Sequence, residues 1–209
     1  MGMTDKFIMP KYAQCVGDYI NENLKPGAKI AWLGQQQVGK YSDMFLHIHL
    51  NIKVENLEHH FYDILNEDDP PTNNKWDVHD NWDNIIKDYD LVLGLRIAYL
   101  VQSSSGLVKN LKYAVKNNKR VMFDFNTGNL IQLGPNTLLQ SWPKDSTNLI
   151  PHLMETTPEG IKMQYKVNFG DNLLSTEMLT DAGLKLQNAK IIRDPIKGRF
   201  YTLTEIVET

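Results

Sequence analysis

The end of the chain carries the feature that most restricts its fold. Two strand-like runs, KLQNAKIIRD and RFYTLTEIV, are separated only by PIKG. A connection this short joins its strands antiparallel, because a parallel pair needs a crossover of about a dozen residues or more. Any sheet that contains these strands therefore ends in an antiparallel hairpin.

Upstream of this hairpin, apolar runs alternate with helix-like segments. Runs bounded by turn residues predict buried strands at KIAWL, NIKVE, KWDVH, LVLGL and RVMFDF. Helical spacing predicts helices at Tyr12–Leu24, Lys40–His49, NLEHHFYDIL, Asn81–Asp88, SSGLVKNLKYAVKNN with Ser104 or Ser105 as N-cap, and STEMLTDAGL ended by Gly183. Strands that alternate with helices are joined by crossovers into a parallel sheet. The predicted fold class is therefore α/β, a three-layer αβα sandwich with a mostly parallel seven-stranded sheet and a C-terminal antiparallel hairpin.

The length of 209 residues suits one domain, and 42% hydrophobic residues are enough for a core. We predict a single domain over 1–209, with a leading helix region at 1–27 and a variable insertion or loop region at 126–174. A net charge of −3 does not indicate a nucleic-acid partner or an anionic membrane. The single cysteine, Cys15, favours a reducing compartment, and no apolar stretch is long enough to span a bilayer. A cytoplasmic protein is expected.

The histidines do not indicate a metal site. His47 and His49 fall on different faces of their predicted helix, and His59 and His60 are adjacent. No cysteine cluster or H-E-x-x-H pattern accompanies them. We therefore expect no metal cofactor.

The segment WLGQQQVGKYS, residues Trp32–Ser42, follows the first predicted strand. Gly34 to Lys40 fits the G-x-x-x-x-G-K spacing of a phosphate-binding P-loop, and Asp124 in VMFDF would supply the magnesium-side acid. However, Tyr41 replaces the Ser or Thr that holds magnesium, and Ser42 lies about 100° further round the helix. A P-loop nucleotide binder is therefore the less favoured alternative.

The order of the segments resembles the fold of the class I S-adenosylmethionine-dependent methyltransferases. The likeness covers the chain from about Tyr12 to the C-terminus. YINENLKPGAKIAWLG is similar to the leading helix, Pro-Gly turn and first strand of that family, and DYDLVLGL, with Asp90, to its fourth strand. KNLKYAVKNNKRVMFDF and LTDAGLKLQ are similar to the next helix and strand and to the entry to the sixth strand. The resemblance implies S-adenosylmethionine as cofactor and a methyl acceptor that the sequence does not identify.

In the family, a glycine-rich loop after the first strand lets the cofactor lie against bare backbone. Gly34 keeps the first glycine, whereas Gln36 and Val38 stand at the second and third glycine positions and Gly39 comes one place late. The resemblance implies cofactor contacts from Gly34, Gln35, Gln36 and Gly39, with the glutamine amides as hydrogen-bond donors.

The family also places a carboxylate at the end of its second strand, where it binds both ribose hydroxyls. Glu55 lies 21 residues after Gly34 and ends the predicted strand NIKVE, so the resemblance implies this role for it. The alternative is a solvent-exposed glutamate at the end of a strand. Asp80 and Asn81 follow the third predicted strand, where the family binds the adenine amine. Their alternative role is to cap the helix that begins at Trp82, which itself either flanks adenine or packs in the core.

The acceptor is expected at the end of the fourth strand, since ligands of open α/β sheets bind at the carboxyl ends of strands. Gly94 gives the cofactor room there, and Arg96 and Tyr99 are candidate acceptor contacts. We identify no general base. Methyl transfer to an acceptor that is already nucleophilic needs only in-line positioning.

Two functions from different classes follow from this resemblance. The first is a methyltransferase that moves a methyl group to an unidentified acceptor. The second is a non-catalytic binding or scaffold protein of the same fold, since Trp32, Gln36 and Val38 depart from the family pattern. The second function predicts a first-strand loop filled by the chain's own side chains and an apolar surface for homo-oligomer formation.

Overall fold

The fold is taken from a computed structural model of the chain. The structure describes residues 10–35, 50–95, 97–98, 101, 103–134, 137–141, 152–157, 160–166, 173–193 and 199–209. The predicted helix at Lys40–His49 lies outside these residues.

The described residues form three helices and eleven strands. The helices are α1 (Pro10–Asn23), α2 (Ser104–Asn117) and α3 (Thr176–Asp181). The strands are β1 (Lys29–Leu33), β2 (Glu58–Asp63), β3 (Asn73–Lys75), β4 (Leu91–Gly94), β5 (Val121–Gly134), β6 (Thr137–Ser141), β7 (His152–Thr157), β8 (Gly160–Lys166), β9 (Leu173–Ser175), β10 (Leu184–Arg193) and β11 (Arg199–Glu208).

Seven of these strands form the predicted mixed sheet. The first five lie in the order β3-β2-β1-β4-β5, and all four contacts between them are parallel. On the other side of β5, β11 pairs antiparallel with it, and β10 pairs antiparallel with β11. The predicted α/β sandwich with a terminal hairpin is therefore confirmed. Its physical basis is the short connection between β10 and β11, which allows only the antiparallel arrangement.

Region 126–174, predicted as an insertion or loop, contains strands. The long strand β5 continues into a meander in which β6, β7, β8 and β9 each pair antiparallel with the strand before. These strands extend the sheet beyond the seven that the sequence predicts.

The second strand is where the sequence prediction was wrong. Residues 51–54 have no regular structure, and the segment predicted as the helix NLEHHFYDIL contains β2, Glu58–Asp63. A strand buried on both faces lacks the polar–apolar alternation that marks a surface strand. In β2, Phe61 and Tyr62 are both buried although they point to opposite faces, so the sequence pattern does not distinguish this strand from a helix.

Three smaller differences are local. The predicted helix Asn81–Asp88 is a series of turns, in which Asn84 and Asp88 take positive φ values of 66° and 63°. The third strand comes earlier than KWDVH, at β3, and overlaps it only at Lys75. The N-cap of α2 is Ser103, whose Oγ accepts a hydrogen bond from the Gly106 amide at 3.1 Å.

The sheet has a buried core on each face. On one face α1 packs through Val16 and Ile20 onto Ile30, Trp32 and Leu93, and all five side chains are fully buried. On the opposite face α2 and α3 cover a second core, whose most buried members include Leu33, Trp82, Val92, Leu111, Phe123 and Leu179. The sandwich is held by burial on both faces of β1 and β4, which accounts for their uninterrupted apolar sequences.

His59 of β2 packs beside Trp32, on the face of the sheet that α1 covers, and its imidazole is neutral. Its Nδ1 accepts a hydrogen bond from Trp32 Nε1 at 2.8 Å, which requires that nitrogen to be unprotonated. Burial, and secondarily the charge of His60, lower the pKa of His59 below its ordinary value of 6.5. As the pH falls, the unfolded chain therefore takes up this proton before the folded chain does, and stability is lost.

We expect His59→Gln, which keeps a hydrogen-bond acceptor, to reduce the acid sensitivity of the fold. Between about pH 7 and about pH 5, the free energy of unfolding of the unsubstituted protein should fall by more than that of the variant. Urea unfolding at both pH values measures this difference. His79→Gln is the matched control at an exposed histidine paired with Asp77, and it should not reduce the acid loss. An equal loss in His59→Gln and the unsubstituted protein would contradict the assignment.

Candidate functional site

The carboxyl ends of β1 and β2 are fastened together by backbone hydrogen bonds. Leu33 lies opposite Tyr62 in the parallel register. Just beyond this pair, the Tyr62 carbonyl accepts hydrogen bonds from the amides of Gly34 at 2.7 Å and Gln35 at 3.3 Å. The loop after β1 therefore starts directly beside Asp63, the last residue of β2.

Gly34 occupies a position that only glycine fits. Its φ is +73°, in the left-handed region, and a Cβ built on it would lie 2.1 Å from Cγ2 of Ile97. Ile97 comes from the segment after β4, so the ends of β1 and β4 are packed together at this point. The side chain of Ile97 fills the space beside the Gly34 backbone.

Asn66 fixes the path of the loop that follows β2. Its buried Nδ2 donates to the carbonyls of Gln35 at 3.4 Å, Phe61 at 3.3 Å and Asn74 at 3.0 Å. Its Oδ1 is buried and has no hydrogen-bond partner among the described residues. Gln35 is itself only 3% exposed, so its side chain is part of the folded loop and not of the surface.

The assignment of Glu55 to the ribose site rested on a strand that does not exist. Glu55 lies before β2, and its carbonyl accepts a hydrogen bond from the Gly27 amide, just ahead of β1. It therefore lies at the amino ends of β1 and β2. Since the strands are parallel, this is the edge of the sheet opposite Gly34. Glu55 does lie 21 residues after Gly34, but the second strand is β2 and not NIKVE, so Glu55 is not at the carboxyl end of a strand.

Asp63, which the sequence reasoning missed, stands at the carboxyl end of β2. Its Oδ1 accepts a hydrogen bond from the Leu65 amide at 2.8 Å, and within the described ranges its Oδ2 forms none. Burial raises the pKa of this carboxyl, and the Leu65 hydrogen bond partly opposes that rise. The signal that would have found it is an acid directly after the strand-forming pair Phe61-Tyr62.

The surface beside Asp63 is apolar. Among the described residues, Ile64 and Leu65 are the most exposed large hydrophobic side chains, at 56% and 62%. A carboxylate next to exposed aliphatic groups can hold the hydroxyls of a sugar while a flat apolar group rests against the aliphatic surface.

Asp80 and Asn81 are held in a turn after β3. Nδ2 of Asn110, on α2, donates to the Asp80 carbonyl at 3.1 Å, and Oδ1 of Asn110 accepts from the Trp82 amide at 3.4 Å. Oδ1 of Asn81 accepts from the Asp83 amide at 3.2 Å, so Asn81 stabilises a turn and caps no helix. An adenine contact from Asp80 or Asn81 stays a prediction. The core interpretation of Trp82 is confirmed, since its side chain is fully buried and stacks on Phe123 with ring centroids 6.1 Å apart.

Gly94 ends β4 for a packing reason. It lies opposite Phe123 of β5, and a Cβ built on it would lie 2.1 Å from the phenyl ring. The glycine is explained by this contact, and its predicted role beside the cofactor stays a prediction. Gln36, Gly39, Arg96 and Tyr99 lie outside the described residues, so their predicted contacts also stay predictions.

The P-loop interpretation gains no support from the residues described. Asp124, its proposed magnesium-side acid, is fully buried and accepts a hydrogen bond from the Tyr12 hydroxyl at 2.6 Å. Lys40 and Tyr41 lie outside the described ranges. Over the part of the chain that the structure describes, no three His, Cys, Asp or Glu residues are grouped as metal ligands. In that same part, every helix is too short or too polar to cross a bilayer.

Comparison with known proteins finds likeness in structure but not in sequence. No protein-family model matches the chain, and no curated protein matches it. Among solved structures, it is similar to magnesium protoporphyrin IX methyltransferase (ChlM) from Synechocystis PCC 6803 with bound SAH. That match has a TM-score of 0.50 and 11% identity, and covers 96% of this chain and 83% of that one.

Two further structures are similar over nearly the whole chain. The CcbJ methyltransferase from Streptomyces caelestis has a TM-score of 0.47 at 13% identity, covering 100% of this chain and 93% of that one. TrmN from Thermus thermophilus has a TM-score of 0.49 at 10% identity, covering 99% and 50%. At such identities a likeness concerns the fold alone. The chain has the fold of the class I S-adenosylmethionine-dependent methyltransferases, as its sheet order and terminal hairpin indicate.

Two substitutions distinguish how much the packing contact at Gly34 and how much its left-handed backbone conformation contribute to stability. Gly27 has a similar φ of +80°, but a Cβ at that position would meet nothing within 4 Å, so Gly27→Ala tests the backbone cost alone, about 1 kcal/mol. Gly34→Ala adds the clash with Ile97, and we expect a further loss of about 1–3 kcal/mol. Urea unfolding measures both. Equal losses in the two variants would show that Ile97 does not pack against Gly34.

Proposed function

We propose that the chain binds S-adenosylmethionine at the carboxyl edge of its sheet and transfers the methyl group to an acceptor. The observation that carries this proposal is the position of Asp63, at the end of β2 and directly beside the bare backbone of Gly34. In the family that the sequence resembles, a carboxylate at the end of the second strand takes the ribose hydroxyls.

The residues at this edge fit the cofactor by their chemistry. Asp63 Oδ2 is an acceptor without a hydrogen bond in the described part of the chain, and ribose hydroxyls are donors. Ile64 and Leu65 offer exposed apolar surface for the adenine ring, next to that carboxylate. Gly34 is partly exposed beside them and brings no side chain of its own, although Ile97 packs against the side where its Cβ would lie. A ribose and a base therefore each have a matching group at this edge.

The chemistry requires little more of the protein than positioning. When bound, the cofactor supplies a methyl group on a sulfonium, a good leaving group for in-line displacement. The chain's part is to hold the cofactor at Asp63 and Gly34 and the acceptor atom in line, with the predicted contacts Arg96 and Tyr99 after β4.

A second function is favoured by one specific observation, the side chain of Ile97. It fills the space beside Gly34, as the non-catalytic alternative predicts for a loop occupied by the chain's own side chains. In that case the exposed surface at Ile64 and Leu65 would serve the homo-oligomer contact that this alternative includes.

Calorimetry with S-adenosylhomocysteine tests the proposal. We expect saturable binding to the unsubstituted protein and an affinity lower by about 1–3 kcal/mol in Asp63→Asn, because a charged acceptor of the ribose hydroxyls is lost. Glu55→Gln is the matched control at the opposite edge of the sheet, and its affinity should be unchanged.

Three outcomes of this titration count against parts of the proposal. Absence of binding to the unsubstituted protein would favour the non-catalytic alternative. Unchanged affinity in Asp63→Asn would remove Asp63 from the site. A large gain of affinity in Ile97→Ala would show that Ile97 blocks the crevice, since that substitution removes the methyl group nearest Gly34.

A further inference from the structure

A cavity of about 400 Å³ lies at the amino edge of the sheet, away from Gly34 and Asp63. It is formed where α1 crosses the start of β5 and the irregular stretch of the β10–β11 hairpin, between Gln187 and Lys190. Its volume falls within the range typical of small-molecule sites, about 300–1,000 Å³. The lining residues that matter for its chemistry are Cys15, Tyr19, Arg120, Met122, Leu203 and Glu205.

An ion pair between Arg120 and Glu205 organises this cavity. Arg120 Nη1 lies 3.0 Å from Glu205 Oε1, and the Glu205 side chain is only 5% exposed. Oε2 of Glu205 accepts from the side-chain amides of Gln187 and Asn188, each at 3.2 Å. Glu205 thus has three donors. Among the described residues, Arg120 has Glu205 and the Tyr19 hydroxyl as its polar side-chain neighbours, which leaves several of its five N–H groups for other acceptors. The Arg120 side chain is 37% exposed, so those groups are within reach of a ligand.

Tyr19 adds a second donor to the same wall. Its hydroxyl is buried beside Arg120 and Glu205 without a hydrogen bond of good geometry. Burial, and next the negative charge of Glu205, raise the pKa of Tyr19 to about 12, so the hydroxyl keeps its proton. The Tyr19 hydroxyl has only poorly aligned contacts with Glu205 and Arg120, and a well-placed acceptor brought by a ligand would relieve the cost of its burial.

The hydrogen-bond donors, acceptors and charges of the cavity lining indicate which kind of ligand the cavity can bind. Donors exceed acceptors, because Glu205 already accepts three hydrogen bonds. At the rim, the exposed side chains of Glu22 and Lys190 offset each other in charge. Glu22 and Glu205 balance Arg120 and Lys190, so the lining carries no net charge and does not favour a doubly charged anion such as phosphate. The other wall is apolar, with Met122 and Leu203 almost fully buried.

We propose that this cavity binds a small organic monocarboxylate, with its carboxylate on Arg120 and the Tyr19 hydroxyl and its apolar body against Met122 and Leu203. Arginine suits this role because its planar guanidinium matches a carboxylate in geometry. The site is separate from the proposed cofactor edge, since Arg120 precedes β5 whereas Gly34 and Asp63 follow the ends of β1 and β2. Its occupancy does not depend on whether the chain binds S-adenosylmethionine.

Titration of the full chain followed by two-dimensional NMR tests the proposal, with benzoate as the probe. Benzamide is the neutral probe of the same shape, and inorganic phosphate is the doubly charged one. We expect saturable shifts with millimolar benzoate at the amides of Met122 and Ala189 and at Arg120 Nε. Benzamide and phosphate should bind at least about tenfold more weakly, the loss expected from removing a charge-assisted hydrogen bond or adding a repulsive charge.

Substitutions then locate the site. Tyr19→Phe keeps the Arg120–Glu205 pair and should weaken benzoate binding about fivefold or more, while Arg120→Gln should weaken it about tenfold or more. Lys119→Gln is the matched control, because Lys119 is an exposed neighbouring cation paired with Asp90 outside the cavity. Its benzoate affinity should be unchanged.

Several results would overturn the inference. The absence of saturable shifts with benzoate would do so, as would equal affinity for benzamide. Phosphate binding as tight as benzoate would refute the choice of a monocarboxylate. An unchanged affinity in Tyr19→Phe, which preserves the ion pair and therefore the fold, would remove the proposed contact. S-adenosylhomocysteine at saturation should leave the benzoate affinity as it was, whether or not the chain binds it.

Discussion

The rest of this structure depends on the parallel pairing of β1 with β2 on one side and β4 on the other. Leu33 lies opposite both Tyr62 and Gly94, so three strands end at the same level. Because each of these strands is buried on both faces, a shift in register would expose a core residue or bury a polar one. The shared end level brings Gly34, Asp63 and the segment of Ile97 together, and these residues form the candidate cofactor site.

The same arrangement places the two proposed sites at opposite edges of the sheet. At the carboxyl edge, Gly34 and the Asp63 carboxylate meet, where we propose that the cofactor binds. At the amino edge, α1 and the hairpin enclose a cavity whose polar groups are an ion pair and a buried hydroxyl. The antiparallel direction of β11 brings Glu205 to this edge, opposite Met122 near the start of β5. If β11 ran parallel to β5, Glu205 would lie nearer the carboxyl edge of the sheet, and Arg120 would lose its ion-pair partner.

Ile97 and Gly34 bear on both the catalytic and the non-catalytic function. Their close packing fastens the end of β1 to the segment after β4, which stabilises the edge where a cofactor would lie. The same contact takes up room beside the glycine. A ligand can occupy this space only if its binding free energy exceeds the cost of moving the Ile97 side chain. The affinity for S-adenosylhomocysteine measures the balance of these two free energies.

The sequence by itself determined the helices α1, α2 and α3, the terminal hairpin and the burial of β1, β4 and the start of β5. These follow from local properties: apolar runs between turns, helical spacing and a connection too short for a crossover. It also determined that Gly34 ends the first strand. Such features depend on neighbours along the chain, so they can be inferred without coordinates.

Only the tertiary structure decided where the second strand lies, and with it which acid stands at the candidate site. EHHFYD is buried on both faces by contacts from distant segments, and its own sequence does not distinguish strand from helix. Pairing with β1 settles the matter, and it places Asp63 beside Gly34 and Glu55 at the far edge. The Arg120–Glu205 pair is likewise invisible in the sequence, since 85 residues separate its members. Contacts between residues so far apart arise from the packing of whole elements, which local pattern does not record.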